Sequence, residues 1–228
     1  MSSSGFHEIV AALPYLFKTG MTFSLTLTAL AAILGLLLGT LLAICRMSSS
    51  KLIAVPATLY VNGMRSVPLL LVIFWFYFLA PYVGAWLTHS PMPVEVGAYR
   101  SAVITFTLFE SAYFCEIMRA GIASISRGQM QAALALGLTQ RQTMLTVILP
   151  QALRNMTPAL LTRVITLFQD TSLVYVLSMS DFFGAASEIA SRDGSTVQMY
   201  LFAAAVYFVI CFGASRFVKR FDLARHAH

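Results

Sequence analysis

The stretch from residue 21 to residue 44 holds no charged side chain. An α-helix rising 1.5 Å per residue needs about 20 apolar residues to cross about 30 Å of hydrocarbon, and this stretch supplies them. Four more stretches repeat the pattern with small interruptions: 55–80, 99–117, 156–179 and 197–215. Only 11% of the 228 residues are charged and 58% are hydrophobic, whereas a soluble domain carries about 25% charged residues. Such a chain lacks the polar groups to cover a folded surface in water. The pattern predicts an all-α membrane protein with five transmembrane helices and no sizeable soluble domain. No internal repeat is visible, which argues against an inverted-repeat carrier.

Several punctuation marks refine this outline. In residues 1–20 the basic Lys18 follows the apolar part rather than preceding it, so the segment does not read as a cleavable signal. Phe6, Ile9, Val10, Leu13, Leu16 and Phe17 recur at helical spacing and predict a short amphipathic helix on the membrane face. Gly35 and Gly39 lie four apart, marking either a helix–helix interface or ordinary bundle packing. Asn62, Gly63, Arg65, Ser66 and Pro68 interrupt the second span. Its apolar part ends at Pro81, and 82–98 reads as a loop. Cys45, Cys115 and Cys211 sit in apolar runs without C-x-x-C spacing and read as small buried residues.

The net charge of +6 is explained by where the basic residues fall, not by nucleic acid. Lys18, Arg100 and Arg192 flank one side of the expected spans. The other side takes Arg46 and Lys51, four arginines of the 118–155 loop, and four basic residues after span five. Arg65 and Arg163 lie within spans. Three against ten is a positive-inside bias that puts the N-terminus outside and the C-terminus in the cytoplasm. The expected organisation is an outer segment 1–20, a membrane domain 21–217 containing a cytoplasmic loop 118–155, and a cytoplasmic tail 218–228.

No catalytic constellation is present: the chain has no phosphate loop, no H-E-x-x-H and no G-x-S-x-G. His7, His89, His226 and His228 lie near ends or in loops, and no metal site is expected from them. The 118–155 loop carries the specific signal. Residues 129–136 make two helical turns, with Ala132, Ala133 and Ala135 supplying propensity. Gly137 is placed to end them in a left-handed cap. A slim, uncharged helix of this kind either enters a groove on a soluble partner or packs only on its own membrane domain. Leu134, Leu136, Leu138 and the run Val147-Ile148-Leu149 offer its apolar contacts.

This loop resembles the coupling motif of the membrane subunits of ATP-binding-cassette importers: Glu-Ala-Ala, three residues, Gly, nine residues, then Ile-x-Leu-Pro. Ala132, Ala133, Gly137, Leu149 and Pro150 match; Gln131 replaces the Glu and Val147 the Ile. The resemblance extends over nearly the whole chain to polar amino-acid permeases of the histidine/glutamine/glutamate group. It is carried by Leu13-Pro14-Tyr15-Leu16, Arg65-Ser66-Val67-Pro68-Leu69, Glu110-Ser111-Ala112-Tyr113, Arg119-Ala120-Gly121-Ile122 and Asp170-Thr171-Ser172-Leu173. Within that group the chain is most similar to the second permease subunit of glutamate/aspartate importers, through the run from Leu167 to Ser178 and Arg192-Asp193-Gly194.

The resemblance implies the fold of a type I ABC importer permease in a bacterial inner membrane. It implies a heterodimer with a related permease subunit, an ABC ATPase dimer inside and a solute-binding protein outside. It also implies an amino-acid substrate, most readily glutamate or aspartate. ATP would be bound by the ATPase, leaving this chain without a cofactor or catalytic residue. Gln131, Ala132, Ala133, Leu134, Gly137, Leu149 and Pro150 would couple to the ATPase. Other readings remain open: an arginine, histidine or glutamine importer, a proton-coupled carrier or channel working alone, or a signalling protein without a pathway.

Charged groups inside spans are costly unless paired or hydrated. Arg119 lies three residues after Glu116 and reaches it, so the two are expected to form a structural pair. Glu110 and Tyr113 share a helix face, turned either to a substrate pathway or to a solvated gap beside a partner. Arg163 shares a face with Asp170. Arg163 or Arg65 would attract an anionic amino acid; for Arg65, helix packing or a lipid headgroup competes. Gln169, Thr171 and Ser172 offer uncharged hydrogen bonds to the substrate's α-groups. Arg163→Ala and Gln169→Ala are expected to impair transport and leave assembly intact.

Overall fold

A computed structural model describes the backbone of residues 3–226 and the side chains of residues 9–220 and of Asp222. Phe6, His7 and Glu8, and likewise Arg225, His226 and His228, fall outside the described side chains. Among the described residues every regular element is helical. Helix α1 (Ser3–Tyr15) runs through a π-helical turn, Leu16–Met21, into α2 (Thr22–Arg46). Then come α3 (Lys51–Arg65), α4 (Leu69–Thr88), α5 (Ala98–Ala123), α6 (Arg127–Ala135) and α7 (Gln140–Thr143). A second π-helical turn, Met144–Ile148, leads into α8 (Leu149–Asp170), which tightens into a 3-10 helix, Thr171–Leu177. Helices α9 (Phe182–Asp193) and α10 (Thr196–His226) follow.

Among the described residues, five helical segments are long and apolar enough to cross a membrane: Ile9–Arg46, Leu69–Thr88, Ala98–Ala123, Gln140–Leu177 and Thr196–Arg220. Their number is the expected one, but their limits differ for identifiable reasons. Helix α1 does not stand apart from the first span. Pro14 lacks an N–H and crowds the carbonyl four residues back, and the π-helical turn after it carries the helix on without a break. The stretch 55–80 is two helices. Ser66-Val67-Pro68 separates them, because the residue before a proline avoids the helical region and Pro68 itself is extended at ψ 135°.

Pro81, in contrast, does not end α4, which continues to Thr88 and stops at His89 with φ 52°. Proline inside a membrane helix is tolerated where surrounding structure re-satisfies the backbone. The segment after span four holds a further helix. Asp181 caps α9, its Oδ1 accepting from the Gly184 N–H at 2.9 Å and its Oδ2 from the Phe183 N–H at 3.1 Å. Gly194, at φ 68°, ends it.

Helix α5 is the centre of the domain and packs against α2, α3, α4 and α8, most extensively against α2. Small residues on α2 allow that closeness. A Cβ on Gly35 would lie 3.0 Å from the Cβ of Glu110, and one on Gly39 would lie 2.8 Å from both the Phe114 Cβ and the Ser111 carbonyl. The Gly-x-x-x-Gly pair is therefore an interface within this chain. A second core gathers Leu16, Met21, Phe168, Phe182 and Met199 where the first π-helical turn, α8, α9 and α10 meet. The Ser24 hydroxyl ties α2 to this core by accepting from the Phe182 N–H at 3.0 Å. Cys115 and Cys211 are buried, Cys45 is half-buried, and all three are free thiols.

Candidate functional site

Two features stand out against the apolar framework: a short helix held outside the spans and a line of charges within them. Helix α6 starts after Ser126, whose backbone is extended, and ends at Gly137 with φ 83°. The Gly137 N–H donates to the Leu134 carbonyl at 3.0 Å and the Leu138 N–H to the Ala133 carbonyl at 3.2 Å. This is the Schellman arrangement, which needs a left-handed residue at that position. The chain turns at once into α7, fixed by a capping box in which Thr139 and Gln142 bond each other's backbone N–H. At the neck of the loop the Asn155 amide donates to the Ser124 hydroxyl at 2.8 Å, joining the end of α5 to α8.

The loop helix presents two faces. Ala133 and Ile148 are buried against the chain's own membrane domain. Gln131, Ala132, Leu134 and Gly137 point outward, and Leu136 is 83% exposed. Pro150 is exposed at the start of α8, and Leu149 lines an apolar cleft of about 680 Å³ with Met47, Met118, Met144 and Met156. Proline at position 150 has no N–H for a regular turn. The π-helical turn before it absorbs this, and the Gln151 side-chain amide donates to the Val147 carbonyl at 2.8 Å. Ala133 packs inward, and the exposed residues leave the rest of this helix open to a partner.

Inside the spans, Glu110 on α5 is fully buried. It accepts two parallel bonds from Arg163 on α8, Nε at 2.8 Å and Nη2 at 2.6 Å. The same Nη2 is 3.5 Å from Asp170. The Arg163 guanidinium lies over the Tyr113 ring, 3.9 Å from its centroid. Glu110, Tyr113, Arg163 and Asp170 thus form one group, a joining of α5 to the end of α8. Gln169, Thr171 and Ser172 do not enter it. Gln169 turns toward the Cys211 thiol of α10. Thr171 is buried and donates to the Phe168 carbonyl, and Ser172 donates to the Gln169 carbonyl. Arg163→Ala would strand a fully buried carboxylate, so loss of stability is expected alongside loss of transport.

The second group surrounds Glu116. Arg119 binds its Oε1 through Nε at 3.1 Å and also through Nη2. Arg46, at the end of α2, donates to Oε2 at 2.6 Å, and Arg65, at the end of α3, approaches the same oxygen at 3.6 Å. The Arg65 guanidinium is 5.7 Å from the centroid of the Tyr113 ring, so a single tyrosine separates the two groups. The Glu116–Arg119 pair was legible from its spacing. Arg46 and Arg65 as further partners were not, because they arrive from other helices. The pair Arg192–Asp193, bonded at 2.7 and 2.8 Å, lies exposed at the end of α9, where the guanidinium holds the Asp193 carboxyl below its ordinary range.

The described residues thus combine five helical segments long and apolar enough to cross a membrane, charges paired within them and a short helix between the third and fourth. The chain matches the model of the binding-protein-dependent transport system inner membrane component family over residues 35–225, and it belongs to that family. It is 52% identical over 213 residues to the glutamate/aspartate import permease protein GltK of Escherichia coli O6:H1 and O157:H7, covering 93% of this chain and 94% of that protein. It is 34% identical over 219 residues to the probable amino-acid ABC transporter permease protein YckA of Bacillus subtilis, covering 96% and 92%. A crystal structure of an amino acid ABC transporter with histidines matches at a TM-score of 0.86 and 32% identity, over 96% of this chain and 98% of that one. The chain is thus a non-catalytic, multi-pass permease subunit of the inner membrane, working with a separate ATPase in one transporter complex.

Proposed function

We propose that this chain is one permease half of an importer for acidic amino acids, glutamate and aspartate. The observation that carries the reading is the 52% identity, over 93% of the chain, to a glutamate/aspartate import permease. The partners in this reading are a related permease subunit, an ABC ATPase dimer that binds the ATP, and an extracytoplasmic solute-binding protein. The chain itself needs no cofactor or metal. The charge distribution supports an outer N-terminus, with the 118–155 loop and the 218–228 tail in the cytoplasm.

The outward face of α6, formed by Gln131, Ala132, Leu134 and Gly137, enters a groove on the ATPase, with Leu149 and Pro150 at the base of the loop. Closure of the ATPase dimer on ATP moves α6, and α5 and α8 on either side of it rock between two states. The substrate biases that equilibrium by binding the two states unequally. Glu110, Tyr113, Arg163 and Asp170 stand along the pathway, with Gln169, Thr171 and Ser172 at its margin. Arg119 and Glu116 hold α5 at its inner end.

The test is uptake by proteoliposomes holding the complete transporter. Glutamate and aspartate should be competing substrates, and uptake should require both ATP and the binding protein. Transport without ATP would instead favour a carrier working alone. Gly137→Val should abolish the coupling of hydrolysis to uptake, since valine at φ 83° is strained, while Gln131→Ala should be mild.

A further inference from the structure

Tyr113 on α5 meets both charge groups. The Arg163 guanidinium lies 3.9 Å from its ring centroid and the Arg65 guanidinium 5.7 Å. Both fall within the roughly 6 Å over which a ring face attracts a cation. The two arginines are otherwise held very differently. Arg163 donates two hydrogen bonds to Glu110 and stands 3.5 Å from Asp170. Arg65 comes no closer than 3.6 Å to Glu116, at an oxygen that already accepts from Arg46 at 2.6 Å. A cation inside a span has to be paired or hydrated. Arg163 has its carboxylate; Arg65 has a shared one and the face of Tyr113.

The ring is itself held in place. Phe109, one turn earlier on α5, packs on it with centroids 5.2 Å apart. Met64 of α3, Val67 at the break after it, and Leu173 and Leu177 of the 3-10 helix join the same apolar cluster. Arg65 is the last residue of α3, and Arg163 belongs to α8. One ring on α5 therefore reaches the end of one helix and the middle of another.

We propose that Tyr113 is a positioning residue for transport: its ring face holds the Arg65 end of α3 to α5, so that motion entering α5 and α8 from the α6 loop is passed to the break between α3 and α4. This rests on the coupling role given to α6 above. The electron density of the ring is what matters, not the phenol oxygen. A ring of the same shape with less of that density fails Arg65 first, because Arg163 keeps its two bonds to Glu110.

The test is the amount of a labelled amino-acid mixture taken up per ATP hydrolysed, in proteoliposomes holding the complete transporter and its binding protein. Tyr113→Phe should stay within about twofold of the unaltered complex, since both rings attract a cation. Tyr113→Leu should lower the ratio about tenfold while hydrolysis continues. Tyr113→Phe with two and then three fluorines on the ring keeps the shape and drains the face, and the ratio should fall stepwise. In Arg65→Gln the ratio should already be low. There the fluorines should change it no further, while still lowering the melting temperature through Arg163. A fluorine series level with Tyr113→Phe overturns the proposal. So does a series that falls as steeply in Arg65→Gln. Either result makes Tyr113 a packing residue only. Uptake by the unaltered complex without ATP would instead sink the coupling role of α6, a result separate from that of Tyr113.

Discussion

Glu110 and Glu116 sit on one helix, six residues apart, yet they live in different physical worlds. Glu110 is sealed from solvent and gripped on both oxygens by one arginine. Glu116 is 21% exposed and shared among three. A sealed pair with two-point geometry is stiff, and removing either member leaves an unpaired charge in a medium that cannot solvate it. A carboxylate shared by several long, partly wet side chains is tolerant, because any one of them is replaced by another or by water. The difference teaches that a charge inside a span is not by itself a sign of contact with a substrate. The tight pair holds α5 to α8, and the loose group has cation left over.

The sharpest attempt to break this contrast is Arg163→Ala. It should destabilise the complex by about 3–5 kcal/mol, seen as a large fall in melting temperature in detergent. The double change Glu110→Leu with Arg163→Met should recover most of that stability without recovering transport. A melt for Arg163→Ala that matches wild type would end the idea of a keystone pair.

Asp181 extends the comparison to a buried carboxylate held by backbone N–H groups and the Tyr207 hydroxyl, 3.4 Å away. Burial pushes its pKa up to about 6 from 3.8. Because the folded state holds this proton more tightly than the unfolded chain, the resulting stability is present below about pH 4 and lost as pH rises through 6. Wild type should lose about 3 kcal/mol between pH 4 and pH 7 relative to Asp181→Asn. Parallel melts of the two proteins across that range would refute it.

Glu116→Gln should cost roughly 1.5–3 kcal/mol, the range for hydrogen bonds to charged groups, below the loss from Arg163→Ala. The smallest effect belongs to Arg119→Ala. Its side chain is 42% exposed, and an exposed pair contributes about 0–1 kcal/mol, less in salt. If Arg119→Ala proves as damaging as Arg163→Ala, the two groups are not different in kind.

Much of the architecture could be read from the chain alone because lipid simplifies the code. Uncharged runs such as 21–44 announce spans, and Gly35 with Gly39 announces a close contact. The break at Pro68, beside Asn62, Gly63, Arg65 and Ser66, was legible; what escaped was Pro81, which α4 runs through to Thr88. Helix α9 left a readable signal in Asp181, Ala185, Ala186, Ile189 and Gly194, but at 12 residues it is short of a span and went unassigned. Glu116 with Arg119 is local, three residues apart. Glu110 with Arg163 is 53 residues apart, and Arg46 with Glu116 is 70. Such partners are set by which helices α5 meets, and no local spacing encodes that.

The segment Gln140–Leu177 is helical throughout, 38 residues from α7 through the π-helical turn and α8 to the 3-10 end, or roughly 55 Å at helical rise. The π-helical turn Met144–Ile148 and the prolines at 150 and 158 lie along it between Gly137 and Arg163. On the other side of Gly137 the helix α6 is a separate piece, joined by a bend. One unbroken run of helical backbone therefore links that bend to Arg163 and Asp170, the charges at its far end.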